Sequence, residues 1–252
     1  MSIEFRNVTK NFSGFTALDS ISFKIEKGTA CGYIGPNGAG KTTTARIIVG
    51  LENADSGSVI IGDGADGTDL RATQRQIGYV PDSPKLYESL TPRETIAMAA
   101  MLRKYDVAKA MRRLEVLSEI LRFSDYLKKP IGGLSKGNRQ KVVLSLALLF
   151  KPSILILDEP TDGLDLQAVI SLKQLIKHFT AHNGTVFYSS HLLDIVEGLC
   201  SEVYFINHGQ IAGHFRKEEF EGKRGYLEEA LSESIGTTTD HKVIDEFFDD
   251  AD

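Results

Sequence analysis

Cysteine is scarce: the 252 residues hold two, Cys31 and Cys200. Neither has a second cysteine at metal-ligand spacing, which excludes a thiolate metal site and a disulfide scaffold, and both read as small buried apolar residues of a reducing compartment. Long apolar runs are missing too. The longest, near "VVLSLALLF", falls far short of the roughly 18 to 20 residues a membrane-spanning helix needs. The N-terminal "MSIEFRNVTKNF" lacks the basic segment and apolar stretch of a secretory signal, so a cytoplasmic location is expected, with any membrane role exercised through a partner. Positive charge is not in excess either. A net charge of −5 gives no global field to attract nucleic acid or anionic lipid. With 42% hydrophobic and 25% charged residues, no internal repeat and no low-complexity tract, the chain has the makeup of a globular protein large enough for a substantial core.

Along the chain, "SIEFRNVTKNF" and "DSISFKIEKG" alternate apolar and polar residues, the pattern of antiparallel strands. "ACGYIG" reads as a buried strand and "KTTTARIIVGL" as the helix after it, stopping near Gly50, with further short strands at "GSVIIGDG" and "QIGYVP". Thr91, Pro92 and Glu94 form a capping-box start for a helical region that runs through "AMAAMLRKY" and "AMRRLEVLSEILRF" to the break at Pro130, Gly132 and Gly133. "SILILDEP" then has the look of a central parallel strand covered on both faces. A helix from Leu166 to His182, the strand "TVFYSSH" and the hairpin "EVYFINHGQIAGHF", turning at His208-Gly209, follow. The expected fold is α/β, a phosphate-loop core at 1–84 and 151–215 with a mainly parallel sheet and an N-terminal antiparallel β subdomain. A helical subdomain is inserted at 85–150. Residues 216–252 form an extension whose acidic end, "DHKVIDEFFDDAD", is expected to fray or pack lightly.

"GPNGAGKTTT", from Gly35 to Thr44, carries the chemistry. Gly35, Gly40, Lys41 and Thr42 fit G-x-x-x-x-G-K-[ST], and the backbone of Asn37, Gly38, Ala39 and Thr43 completes a loop whose N–H groups can cradle phosphates. Lys41 can reach the β- and γ-phosphates, and Thr42 can ligate Mg²⁺. A flexible glycine turn would not explain a lysine at a helix start, where the dipole already favours anions. Asp158 and Glu159 end the "ILILDE" strand on the edge where open α/β sheets place ligands. Because side chains alternate along a strand the two acids can divide the work: Asp158 suits a Mg²⁺ shell and Glu159 a general base acting on water. Capping of the next helix is the plainer alternative for the pair.

"LSKGNRQK" at 134–141, together with "LILDEP", "TDGLD" and "SSH", makes the chain resemble the nucleotide-binding subunit of an ABC transporter, and "GYVPDSPKLYESLTPRE" with "LSKGN" resembles the exporter or drug-efflux kind. Leu134, Ser135 and Gly137 match the family's LSGGQ signature, whereas Lys136 and Asn138 depart from it. The resemblance spans about residues 3–215 and implies that Ser135 and Gly137 receive the γ-phosphate held by an opposite subunit. It also implies that Asp165 faces that subunit, that His191 contacts the γ-phosphate and that Phe12 stacks on adenine. For Phe12, core burial is the alternative. Where the family has a glutamine tied to Mg²⁺ and the attacking water this chain has Asp82, which can still accept a Mg²⁺-bound water. The implied activity is hydrolysis of Mg·ATP in a head-to-tail dimer with a second copy or a paralogue. It would drive a separate integral-membrane permease that docks near Asp82 to Leu90 and the start of the helical lobe, with no nucleic-acid partner. The rival readings are a non-transport ATPase of the same superfamily acting on nucleic acid or ribosomes, and an ATP-binding module without turnover. The first needs a long coiled-coil insertion or a second cassette, and neither is seen; intact Glu159 and His191 oppose the second.

Overall fold

The computed structural model describes residues 1–62, 70–223 and 225–235. The chain opens with β1 (Ile3–Phe12), β2 (Phe15–Ile25) and β3 (Ala30–Ile34), followed by α1 (Lys41–Ile48), β4 (Ser56–Ile61), α2 (Leu70–Arg75) and β5 (Ile77–Val80). A helical stretch comes next, α3 (Pro92–Leu102), α4 (Val107–Ile120) and α5 (Lys136–Leu149). β6 (Ile154–Asp158), α6 (Leu166–Ala181), β7 (Thr185–Ser190), α7 (Leu193–Glu197), β8 (Glu202–Asn207) and β9 (Gln210–Arg216) lead to α8 (Lys217–Phe220) and α9 (Tyr226–Ile235).

Two sheets result. β2-β1-β4 is antiparallel, and β5-β6-β7-β3-β8-β9 is parallel except for β9, which returns beside β8 as a hairpin. Alternation in β2 turns Ile21, Phe23 and Ile25 inward and leaves Ser20, Ser22 and Lys24 outside. The inward rings join a core with Tyr33, Ile154, Ile156 and Phe187 on one face of the parallel sheet. The opposite face, with Leu155, Leu157, Val186 and Tyr188, is covered by α3, α4, α5 and α6. β6 therefore spends its alternate leucines and isoleucines on two different cores, which is why its sequence is apolar without a break. That packing holds Asp158 and Glu159 at the sheet's carboxyl edge.

The helical region is more divided than its periodicity implies. The chain turns at Lys104, whose φ is 52°, and restarts with Asp106 as the N-cap of α4, accepting from the Lys109 N–H at 2.6 Å. A short polar side chain that offers the backbone an alternative partner ends the first helix within an apolar repeat that would otherwise run on. α4 stops before Arg122 (φ 57°), ahead of the Pro130 break, and two single 3₁₀ turns cover Ser124–Tyr126 and Ile131–Gly133. The hairpin turn at His208 (φ 45°) and Gly209 (φ 75°) has the twist that a two-residue connection requires. Residues 236–252, where the acidic tail was expected to fray or pack lightly, lie outside the described residues.

The capping box at the start of α3 is complete: the Thr91 hydroxyl accepts from the Glu94 N–H at 3.2 Å, and the Glu94 carboxylate accepts from the Thr91 N–H at 2.8 Å. Thr91→Ala is expected to lower stability by about 1 kcal/mol, seen as an earlier urea midpoint with an unchanged slope.

Candidate functional site

All five residues of β3 are buried, so the chain leaves the sheet at a fixed point and enters the loop Gly35–Gly40 under constraint. Gly40 has a φ of 114° and sits where an added Cβ would lie 2.7 Å from the Ala17 carbonyl oxygen, so both conformation and space demand glycine. Lys41 opens α1 with its side chain only 7% exposed. Its Nζ donates to the carbonyl oxygens of Gly35 at 2.6 Å and Pro36 at 3.2 Å, and lies 3.5 Å from Glu159 Oε1. A cavity of about 360 Å³ opens over this loop. Of the residues singled out in the sequence, Phe12, Asn37, Gly38, Gly40, Lys41, Thr42, Thr43, Asp82 and Glu159 line it. Gly35 and Ala39 belong to the loop and are buried beneath.

Asp158 and Glu159 occupy different environments, as alternation requires. Asp158 is fully buried; its Oδ1 accepts from the Ser189 hydroxyl, and its Oδ2 has no partner that meets hydrogen-bond geometry. Burial pushes the Asp158 carboxyl above the usual carboxylate range, the Asp82 charge adds to the rise, and Ser189, Thr42 and Lys41 pull against it. Glu159 follows with a φ of 47°, a left-handed conformation unusual for a non-glycine residue and the kind of strain found at active sites. Its N–H donates to the Ser189 carbonyl at 3.2 Å, tying the strained turn to β7. Its Oε2 lies 3.0 Å from His191 Nδ1, while Oε1 is buried without a hydrogen bond, facing Lys41. His191, more than half exposed at the end of β7, therefore reaches the site through Glu159.

The cavity fits a Mg²⁺-bound triphosphate on chemical grounds. Two buried carboxylate oxygens, Asp158 Oδ2 and Glu159 Oε1, lack donors beside a lysine satisfied for now by loop carbonyls. Water in the shell of a hydrated divalent cation would supply the missing donors, and phosphate oxygens would replace the loop carbonyls around Lys41. A hard oxygen site with few protein ligands suits Mg²⁺, which takes much of its shell from water and phosphate.

Phe12 is not a core residue: it is 40% exposed at the end of β1, with Lys10 Nζ 5.0 Å from its ring centroid. Phe15, across the hairpin, is 58% exposed and lines the same cavity with Ala17; neither was singled out in the sequence. The repeat of phenylalanine across "FSGF" was the available signal. Ser189 was missed as well, although it sits in the "SSH" motif.

Ser135 and Gly137 do not line the cavity. Ser135 N-caps α5, its hydroxyl accepting from the Asn138 N–H at 3.3 Å. A Cβ on Gly137 would lie 2.3 Å from the Gly163 carbonyl oxygen, so the start of α5 touches the loop after β6 directly. Lys136 pairs with Asp162 across the same contact. Asp165, implied by the resemblance to face a partner, is engaged within the chain: it caps α6 through the Ala168 N–H at 2.8 Å and pairs with the buried Lys141 at 2.7 Å.

No helix among the described residues is long and apolar enough to cross a membrane. The profile of the ABC transporter family matches residues 18–162. YhcH of Bacillus subtilis, an uncharacterized ABC transporter ATP-binding protein, is 35% identical over 210 residues, covering 83% of this chain and 68% of its own length. LnrL of the same bacterium, a linearmycin resistance ATP-binding protein, is 32% identical over 209 residues, covering 83% and 67%. A probable sulfate/thiosulfate import ATP-binding protein of Chlorella vulgaris, CysA, is 32% identical over 213 residues, covering 84% and 89%. Among solved structures, an ATP-binding subunit of an ABC transporter superposes with a TM-score of 0.82 at 29% identity, covering 93% of this chain and all of that one. A dimeric bacterial ABC transporter cassette superposes with a TM-score of 0.76 at 25% identity, covering 85% and 98%. By profile, by identity over most of its length and by fold, the chain belongs to the ATP-binding subunits of ABC transporters, the Mg-ATP-hydrolysing half of those machines.

Proposed function

We propose that Glu159 is the general base of ATP hydrolysis in this cassette and that the energy drives export through a separate integral-membrane permease. The observation that carries the first part is the line of contact from Lys41 through Glu159 to His191, with one buried carboxylate oxygen left without a donor at the cavity wall. Oε1 is free to take a proton from water, and His191 holds Oε2, fixing the rotamer. Lys41 leaves its two carbonyl partners for phosphate oxygens when ATP enters. Thr42, Asp158 and Asp82 would hold Mg²⁺, which when bound neutralises charge on the phosphates. Phe12 and Phe15 border the side of the cavity where the base would stack.

In this reading 1–84 with 151–215 is the ATP-binding core, 85–150 an inserted helical lobe and 216–252 an extension. Ser135 and Gly137, set apart from the chain's own cavity, face the nucleotide of a second copy or a paralogue, so the γ-phosphate is complete in its contacts only between two subunits. The docking face for the permease combines Asp82 to Leu90, where Tyr87 is 66% exposed, with the adjoining groove of Leu51, Tyr79, Arg103 and Phe150. Leu102, 78% exposed, adds an apolar knob close by. The linearmycin resistance relative supports export. An import protein matches at the same identity, so export rests on the resistance relative and on the permease this cassette would drive, and not on cassette identity alone.

Glu159→Gln is expected to cut ATP turnover by about 10² to 10⁴ while ATP binding persists. With Mg·ATP the variant should accumulate as a dimer by size-exclusion chromatography, and a permanently monomeric variant would contradict the shared site. His191→Ala should lower turnover less than Glu159→Gln and leave ATP affinity within about twofold, because it removes a positioning contact and not the base. Leu102→Asp should leave the ATPase rate of the isolated subunit unchanged while lowering permease-stimulated ATPase and cargo efflux from vesicles holding the permease; equal stimulation of both proteins would remove the docking face from the proposal.

A further inference from the structure

A second cavity, of about 800 Å³, lies at the opposite end of the parallel strands from the nucleotide loop, where the chain enters β3, β6 and β7. Leu117 of α4, Leu148 of α5 and Phe179 of α6 give it apolar walls. Lys27, Arg113 and Lys151 give it positive charge, and none of the three forms an ion pair among the described residues. Arg113 donates from Nη2 to the Leu148 carbonyl at 3.2 Å but leaves its buried Nε without a partner. No acidic residue is among those lining the cavity.

The sequence contains one segment of matching chemistry. Residues 236–252 carry six carboxylates and a single lysine, which equals the whole chain's net charge of −5 and leaves the remainder neutral. Among those carboxylates stand Val243, Ile244, Phe247 and Phe248. Composition of this kind pairs apolar anchors with anions, as the cavity pairs apolar walls with cations. Position agrees as well. α9 ends at Ile235 after packing on β9 and α7, and Lys177 of α6 lies beside α7 while His178 and Phe179 line the cavity. α6 thus stands between α7 and the cavity, with Lys177 on the one side and His178 and Phe179 on the other, and a helix is roughly 10 to 12 Å across. The seven residues from Gly236 to Lys242 can span about 25 Å when extended, enough to bring Val243 past it.

We propose that this acidic, phenylalanine-bearing segment docks into the basic apolar groove of its own chain, with Phe247 and Phe248 against Leu117, Leu148 and Phe179 and the carboxylates toward Lys27, Arg113 and Lys151. The occupied groove would tie α4 and α5 to α6 and to the starts of β6 and β7.

The test uses the full-length chain with His182→Cys, at the exposed rim of the groove, and Phe248→Cys; Cys31 and Cys200 are buried and out of reach. Mild oxidation in dilute solution is expected to close an intramolecular disulfide. Lys27→Glu with Lys151→Glu, both at exposed positions, should slow closure at least fivefold, and Phe247→Ser should slow it comparably. Failure to cross-link, cross-linking only between two chains, or a rate indifferent to charge reversal would each overturn the proposal. Since all these changes lie away from the nucleotide cavity, the result stands apart from the assignment of Glu159.

Discussion

A lysine carried almost entirely out of solvent must find negative charge or carbonyl oxygens, and Lys41 takes both: two loop carbonyls below it and a carboxylate beside it. This arrangement is adequate for an ammonium and poor for its neighbour, since Glu159 gains a weak ion pair at 3.5 Å and no hydrogen bond on that oxygen. The site is thus balanced for exchange. In the proposed reading an entering polyanion offers Lys41 better partners, and the water that comes with it offers Glu159 a proton. The rest of the molecule serves to hold these two side chains at that spacing, with β3 and β6 flanking β7 in the middle of the parallel sheet and the strained turn at Glu159 pinned to β7.

The sheet can do this because its two faces are closed by different parts of the chain. Aromatic residues from β1 and β2 cover one side, with Phe5 and Phe23 stacked at 4.5 Å; the helices cover the other. Asp158, fully buried at the end of this stack, is an acid held out of solvent at the sheet's carboxyl edge. Its neighbours differ from the family pattern in one respect: Asp82 adds a third carboxylate where the resemblance implies an uncharged amide. The field at Asp158 is more negative for it, and in the proposed reading a divalent cation would be the counter-charge that relieves it.

Much of this was legible in the sequence. The phosphate loop announces itself because glycine, lysine and threonine are each required by a separate physical need, and the doubly covered strand because no amphipathic element would read "ILIL". What sequence could not resolve are the features decided by competition. The break at Lys104 depends on Asp106 outbidding a continuing helix. Phe15 enters the cavity wall because the hairpin places it opposite Phe12, a relation of register and not of pattern. Ser189 matters because β7 lies beside β6, so its hydroxyl meets a carboxylate 31 positions earlier.

The near-contact between Gly137 and Gly163 has a mechanical meaning. With Lys136 bound to Asp162 and Lys141 to Asp165, the front of α5 is riveted to the connection that leaves β6, and three links at one spot leave it little room to slide. If the helices swing against the sheet, this spot is the fulcrum, and the far ends of α3 and α4 sweep the longer arc. Force arriving there would be geared down to a small displacement four residues from Glu159.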